Sequence, residues 1–175
     1  MSIFLQTERL TLNPVTQNHC TETYLGWLND YEVNRFLETG NYPSTINTLY
    51  DFISNQEKQK SLFLAIHLKS SDKHIGNIKI DGMHPIHRTA EYGILLGDKK
   101  EWGKGYAKEA TQAVLTHCFN RLNIRKITLG VVKDNVAAVE LYKKLGFEIE
   151  GCYINHCYYD GAYRDIYRMG LIKKF

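Results

Sequence analysis

Apolar positions change period along the chain, and each change predicts a new element. Leu10, Thr11 and Leu12 alternate behind Thr7-Glu8-Arg9, so Leu5 to Leu12 is predicted as a first strand ended by Pro14. Asn18 to Leu28 places Tyr24, Leu25 and Leu28 on one helical face and closes at Asn29-Asp30. Pro43-Ser44-Thr45 supplies a hydroxyl cap for a second helix with Ile46, Leu49, Phe52 and Ile53 at helical spacing. These helices are expected over one edge of a sheet. From Leu62 the period is that of strands: Leu62 to Leu68 and His74 to Ile80, joined by a short polar loop, then Ala90 to Leu96 after the polar connection Asp81 to Thr89.

The second half reads as helix, strand, helix and hairpin. Ala107, Ala110, Val114, Cys118 and Leu122 recur at three to four residues, an apolar stripe for packing on a sheet. Ile127, Leu129 and Val131 alternate as a strand. Asn135 caps a helix to Leu145, where Gly146 suits a left-handed C-terminal position. Phe147 to Ile154 and Ala162 to Ile172 form a hairpin turned at Asp160-Gly161. The fold class is α/β (mixed α+β) around a central sheet.

Composition narrows this picture. At 175 residues, 43% hydrophobic, one domain spanning residues 1–175 is expected. A net charge of +3 without a block of like charges argues against nucleic acid. No apolar run approaches a membrane span, and Met1 to Leu12 lacks the order of a signal peptide, so a cytoplasmic protein off the membrane is expected. Cys20, Cys118, Cys152 and Cys157 form no C-x-x-C pair and read as thiols of a reducing compartment. His84 and His87, near Asp81, lack further ligands at metal-site spacing, so no metal is expected.

The candidate chemistry begins between the strand ending at Leu96 and the helix that follows. Gly103 and Gly105 have no Cβ, so an anion can approach the main chain, and unpaired N–H groups of the first helical turn point at it. A dinucleotide fingerprint requires a third glycine where Lys108 stands, and a P-loop requires Ser or Thr where Gly105 stands.

The stretch Trp102, Gly103, Lys104, Gly105, Tyr106, Ala107 resembles instead the [QR]-x-x-G-x-[GA] motif of the GNAT acetyltransferase superfamily, with Trp102 in place of Gln or Arg. A second motif of that superfamily, N-x-x-A-x-x-x-Y-x-K-x-G-F, is similar to Asn135, Ala138, Tyr142, Lys144, Gly146 and Phe147. The opening T-E-R-L-x-L and the closing M-G-L-I resemble the branch holding ribosomal-protein and nucleotide-sugar N-acetyltransferases.

The resemblance implies a twisted, mostly antiparallel sheet with a splayed parallel strand pair, flanked by helices. Acetyl-coenzyme A is the implied co-substrate, its pyrophosphate on the glycine loop and its pantetheine arm paired with the backbone of Ile94, Leu95 and Leu96. Asn135 is expected to cap its helix and touch the cofactor. Glu91 is the candidate base, its pKa expected to rise in a partly apolar cleft, and Tyr142 the candidate acid for the leaving thiolate.

The implied reaction is direct attack of a primary amine on the thioester. A nucleotide-linked amino sugar is the first acceptor, with W-L-N-D at Trp27 to Asp30 and I-G-N-I-K-I at Ile75 to Ile80 resembling enzymes of surface-glycan pathways. Trp27, His84, His87, Arg88 and Arg164 are its candidate contacts. A protein N-terminus, and then polyamines or antibiotics, are the alternatives. A coenzyme A sensor without catalysis is the non-enzyme reading, and a homodimer is the candidate assembly.

Overall fold

The computed structural model describes residues 3–59 and 61–173; Met1 and Ser2, within the stretch read against a signal peptide, lie outside them. The strands are β1 (Leu5–Gln6), β2 (Leu10–Pro14), β3 (Leu62–Leu68), β4 (His74–His84), β5 (Thr89–Leu96), β6 (Lys126–Val132), β7 (Glu148–Tyr159) and β8 (Ala162–Ile172). The α-helices are α1 (Glu22–Asn29), α2 (Tyr31–Asn34), α3 (Ile46–Glu57), α4 (Tyr106–Asn120) and α5 (Val136–Lys144).

All eight strands join one sheet in the order β1-β2-β3-β4-β5-β6-β8-β7. Neighbours are antiparallel except β5 and β6, which are parallel because α4 carries the chain across between them. On one face, Ala110, Val114 and Cys118 of α4 and Val139 and Tyr142 of α5 pack on Ile78, Ile80, Ile127 and Leu129. On the other, Tyr24 and Trp27 of α1 and Leu49 and Ile53 of α3 close over Ala65. Each fully buried Ile or Leu contributes about 1.5–3 kcal/mol of hydrophobic stabilisation.

Local differences from the sequence expectations have local causes. The first strand is broken, because the Thr7 N–H donates to the Leu10 carbonyl and its hydroxyl accepts from the Leu10 N–H, folding the chain into a bend at Thr7–Arg9. The first helix starts later than Asn18: a short 3-10 turn at Gln17–His19 precedes it, and Thr21 caps α1 by accepting from the Tyr24 N–H. β4 runs on to His84, beyond the expected end at Ile80. Helix α4 stops at Asn120, which leaves Leu122 outside its apolar stripe and exposed. The final hairpin turns at Asp160 and Gly161, both with positive φ, as a right-twisted two-residue connection requires.

Candidate active site

Parallel pairing of β5 with β6 covers only Thr89↔Lys126, Ala90↔Ile127 and Glu91↔Thr128. Beyond Glu91 the strands diverge, the splayed parallel pair that the resemblance implies. A cleft of about 1500 Å³ opens there, lined by Tyr92 to Leu96 on one strand and Gly130 to Val132 on the other.

Which backbone groups face the split follows from strand geometry. A Cβ placed on Gly76 of β4 would lie 2.3 Å from the Leu95 carbonyl oxygen, so that carbonyl points at β4. N–H and C=O groups alternate sides along a strand, so Ile94 and Leu96 present theirs to the open edge. Of the three residues expected to pair with a ligand arm, Leu95 is therefore turned away. The Leu96 carbonyl is already engaged: the Trp102 indole N–H donates to it at 2.7 Å. Trp102 thus ties the start of the glycine loop to the end of β5.

The loop itself has the predicted form. Gly103 and Gly105 take φ of 74° and 84°, the left-handed region that side chains rarely adopt. Helices α1, α3 and α5 start on the side-chain caps Thr21, Thr45 and Asn135, whereas α4 starts on Gly105 with no side-chain cap. The N–H groups of Gly103, Lys104 and Gly105 donate to no group among the described residues. Gly103, Gly105, Tyr106 and Ala107 line the cleft. Lys104 does not: its ammonium folds back 2.8 Å onto the buried Glu101. Asn135 lines the cleft and caps α5 by accepting from the Ala138 N–H.

Tyr142 stands on the cleft wall, its ring edge-on to Tyr92 at 5.8 Å and to Phe147 at 5.9 Å. Burial pushes its phenol up to about 12, so it carries its proton throughout the neutral range. Its hydroxyl has no hydrogen-bond partner among the described residues.

Glu91 is placed differently from the expectation. It is absent from the cleft lining, and both carboxylate oxygens accept from the Arg168 guanidinium, at 2.8 and 2.9 Å. The Thr128 hydroxyl donates to it as well, at 2.6 Å. A carboxylate held by a charged fork and a hydroxyl is not an open proton acceptor. The arrangement crosses three strands at the vertex of the split, and Gly130 makes room for it: a Cβ there would lie 3.0 Å from Arg168 Nη1. Sequence reasoning missed Arg168 because its partner lies 77 positions away.

The expected acceptor contacts do not gather at the cleft. Trp27 is a core residue, 7% exposed, wedged against Gly97 and the His74 ring. His84, His87 and Arg88 sit at the β4–β5 connection, at the end of β5 where pairing with β6 is intact. Arg164 is engaged with Asp134 at 3.1 Å. None of the five lines the cleft: strand direction carries His84, His87 and Arg88 to the paired end of β5, Trp27 of α1 is packed in the core, and Arg164 is turned to Asp134. In their place the cleft presents Glu32, Glu38, Phe36, Tyr153 and Tyr159, from the α2 region and the β7–β8 hairpin. Glu32 pairs with Lys99, whereas Glu38 has no ion-pair partner among the described residues. No helix among the described residues is long and apolar enough to cross a membrane.

Comparison with known proteins places this site in context. The chain is 34% identical over 99 residues to a spermidine N(1)-acetyltransferase of Vibrio cholerae, covering 57% of each protein. It is 34% identical over 94 residues to the corresponding Escherichia coli enzyme, covering 54% of this chain and 50% of that one. The aligned stretch thus spans about half the length of these relatives. An uncharacterized N-acetyltransferase, p20 of Bacillus licheniformis, matches at 29% identity over 97% of this chain and 96% of its own. Among solved structures, spermidine N-acetyltransferase from Vibrio cholerae in complex with CoA and spermine superposes with a TM-score of 0.86 at 24% identity, covering 95% and 96% of the two chains. These relatives are spermidine and other N-acetyltransferases, not specifically the ribosomal-protein and nucleotide-sugar branch that the chain ends resemble. With the acetyltransferase (GNAT) domain model matching residues 9–148, glycine corner and split strands included, the chain belongs to the GNAT acetyltransferase family.

Proposed function

We propose that this protein transfers the acetyl group of acetyl-coenzyme A to a primary amine of an aliphatic polyamine. The observation that carries the transferase reading is the run of uncommitted N–H groups at Gly103–Gly105, beside a cleft whose β5 wall has lost its partner strand. A diphosphate suits the first, and an amide-bearing arm suits the second. Acetyl-coenzyme A supplies the thioester, and the residues of this chain bind and orient it.

Tyr142 serves the leaving sulfur. Burial pushes its phenol up to about 12, so it stays protonated and offers a donor to the sulfur rather than a freely released proton. Its main contribution is then a hydrogen bond to the developing thiolate, worth most in a site that excludes water. The amine gives up its proton to water in the cleft, since the Glu91 carboxylate is committed to Arg168 and Thr128.

Two things support the polyamine over the amino sugar. Trp27, His84, His87, Arg88 and Arg164, the residues expected from the sequence to anchor a sugar nucleotide, lie outside the cleft. Inside it, Arg35 and Arg168 lie against Asp160 and Glu91, and Glu38, which has no ion-pair partner among the described residues, can meet an ammonium; Lys108 of α4 and Lys144 of α5 also line the cleft. At a protein surface a carboxylate and an ammonium about 4 Å apart attract by up to about 4 kcal/mol before desolvation is charged against them. The spermidine acetyltransferases among the relatives point the same way.

The test is acetyl transfer from labelled acetyl-coenzyme A to spermidine, spermine, nucleotide-linked amino sugars and N-terminal peptides. The expected result is kcat/KM for a polyamine at least about tenfold above the other classes. A preference for amino sugars overturns the acceptor, and coenzyme A binding with no turnover on any amine overturns the catalytic reading in favour of a sensor.

A further inference from the structure

The bend at Thr7–Arg9 leaves the first strand interrupted, and the T-E-R-L segment that forms it reaches across to the glycine corner. Arg9 donates from Nε to Glu109 of α4 at 2.7 Å, its Nη2 lies 2.6 Å from the same oxygen, and its backbone N–H reaches the other carboxylate oxygen at 2.8 Å. The Thr7 hydroxyl donates to Glu109 as well. The Arg9 guanidinium lies over the Tyr106 ring, 4.5 Å from its centroid. Its remaining arm, Nη1, donates to the Lys104 carbonyl at 3.0 Å.

That last bond bears on the orientation of a peptide plane. In a trans peptide the carbonyl and the N–H point in opposite directions, so a Lys104 carbonyl turned to Arg9 turns the Gly105 N–H away from Arg9. Gly105 lines the cleft, and its N–H has no partner among the described residues. Lys104 is flanked by Gly103 and Gly105, which tolerate either sign of φ, so the Lys104–Gly105 peptide lacks the local restraint that side chains would supply. A flipped peptide would aim a carbonyl oxygen at an incoming phosphate.

We infer that Arg9, anchored by Glu109 and Thr7, is a positioning residue that holds the Lys104–Gly105 peptide with its N–H toward the cleft, and so sets the affinity for the diphosphate of the co-substrate. The inference rests on the acetyl-coenzyme A reading and deepens it. Arg9 touches no substrate in this role. Burial alone would raise the Glu109 carboxyl, but hydrogen bonds from Thr7 and Arg9 hold it below the usual carboxylate range, which keeps the anchor ionised at neutral pH.

The experiment measures calorimetric binding of coenzyme A, ADP and pantetheine to the unmodified protein, Arg9→Met, Arg9→Lys and Glu109→Gln, alongside steady-state kinetics. Arg9→Met keeps an unbranched apolar side chain at this position and removes the guanidinium with its donors. The expected result is affinity for coenzyme A and ADP weakened about tenfold or more, the size of one lost charge-assisted hydrogen bond, with pantetheine binding unchanged. KM for acetyl-coenzyme A rises in parallel, while kcat at saturation and KM for the amine change less than about twofold. Arg9→Lys, which can still donate to the carbonyl, restores part of the loss, and serves as the test if Arg9→Met does not fold. Equal ADP affinity in the unmodified and Arg9→Met proteins overturns the inference and leaves the acetyl-coenzyme A reading standing. Failure of the unmodified protein to bind either nucleotide overturns both.

Discussion

The two halves of β5 belong to one strand and meet opposite fates. From Thr89 to Glu91 the strand is paired on both sides, and the Glu91–Arg168 fork fastens it across β6 to β8. From Tyr92 to Leu96 it keeps β4 and loses β6. The closed half satisfies its backbone internally, while the open half leaves the edge groups of Ile94 unpaired and covers the Leu96 carbonyl with an indole. An unpaired strand edge is ordinarily a hazard. Here it is short, recessed in a cleft and adjacent to the glycine corner, which under the proposed function makes it a slot for an arm that carries its own amides.

The comparison can be broken most severely by acid. Behind the open half, on β4, His74 donates toward the Gly76 carbonyl and Asn77 Oδ1, with its ring among those of His19, His67 and Trp27. Burial pushes the His74 imidazole from 6.5 down to about 4, and burial lowers His19 as well. The folded pKa lies below the unfolded one, so this stabilisation is complete above about pH 6.5 and is lost as pH falls toward about 4. The loss from His74 amounts to about 3 kcal/mol. Denaturant midpoints measured across that window should fall steadily, and His74→Asn should flatten the decline; a decline of unchanged steepness in that variant would remove His74 as its source.

The next effect is on the open side. Tyr142→Phe should lower kcat about thirtyfold, near 2 kcal/mol of hydrogen bonding to the leaving sulfur, with KM for acetyl-coenzyme A nearly constant. Unchanged turnover would take Tyr142 out of the reaction.

The smallest effect is on the closed side and separates a fastening from a base. Glu91→Gln should cost about 1 kcal/mol of stability, the scale of a half-exposed ion pair of good geometry, and leave the acidic limb of the pH–rate profile in place. Disappearance of that limb would restore Glu91 as the proton acceptor.

The legibility of these features in the sequence follows their range. Gly103, Gly105, Tyr142 and Asn135 sit in short motifs whose geometry is set within one turn or one loop, and each lies on the cleft. Trp27, His84, His87, Arg88 and Arg164 lie elsewhere, because residue type does not say which end of a strand faces a split or whether an aromatic ring turns into the core. Arg9 and Glu109 are 100 positions apart, and Glu91 and Arg168 are 77 apart, so no periodicity connects them.

By itself the sequence determined the order of elements, the caps at Thr45 and Asn135 and the glycine corner, since dihedral preference, side-chain capping and apolar period act over a few residues. The tertiary structure decided where β5 parts from β6, that Glu91 is fastened rather than free, and which carboxylates face the cleft. Those outcomes depend on strands and side chains that meet only once the sheet has closed.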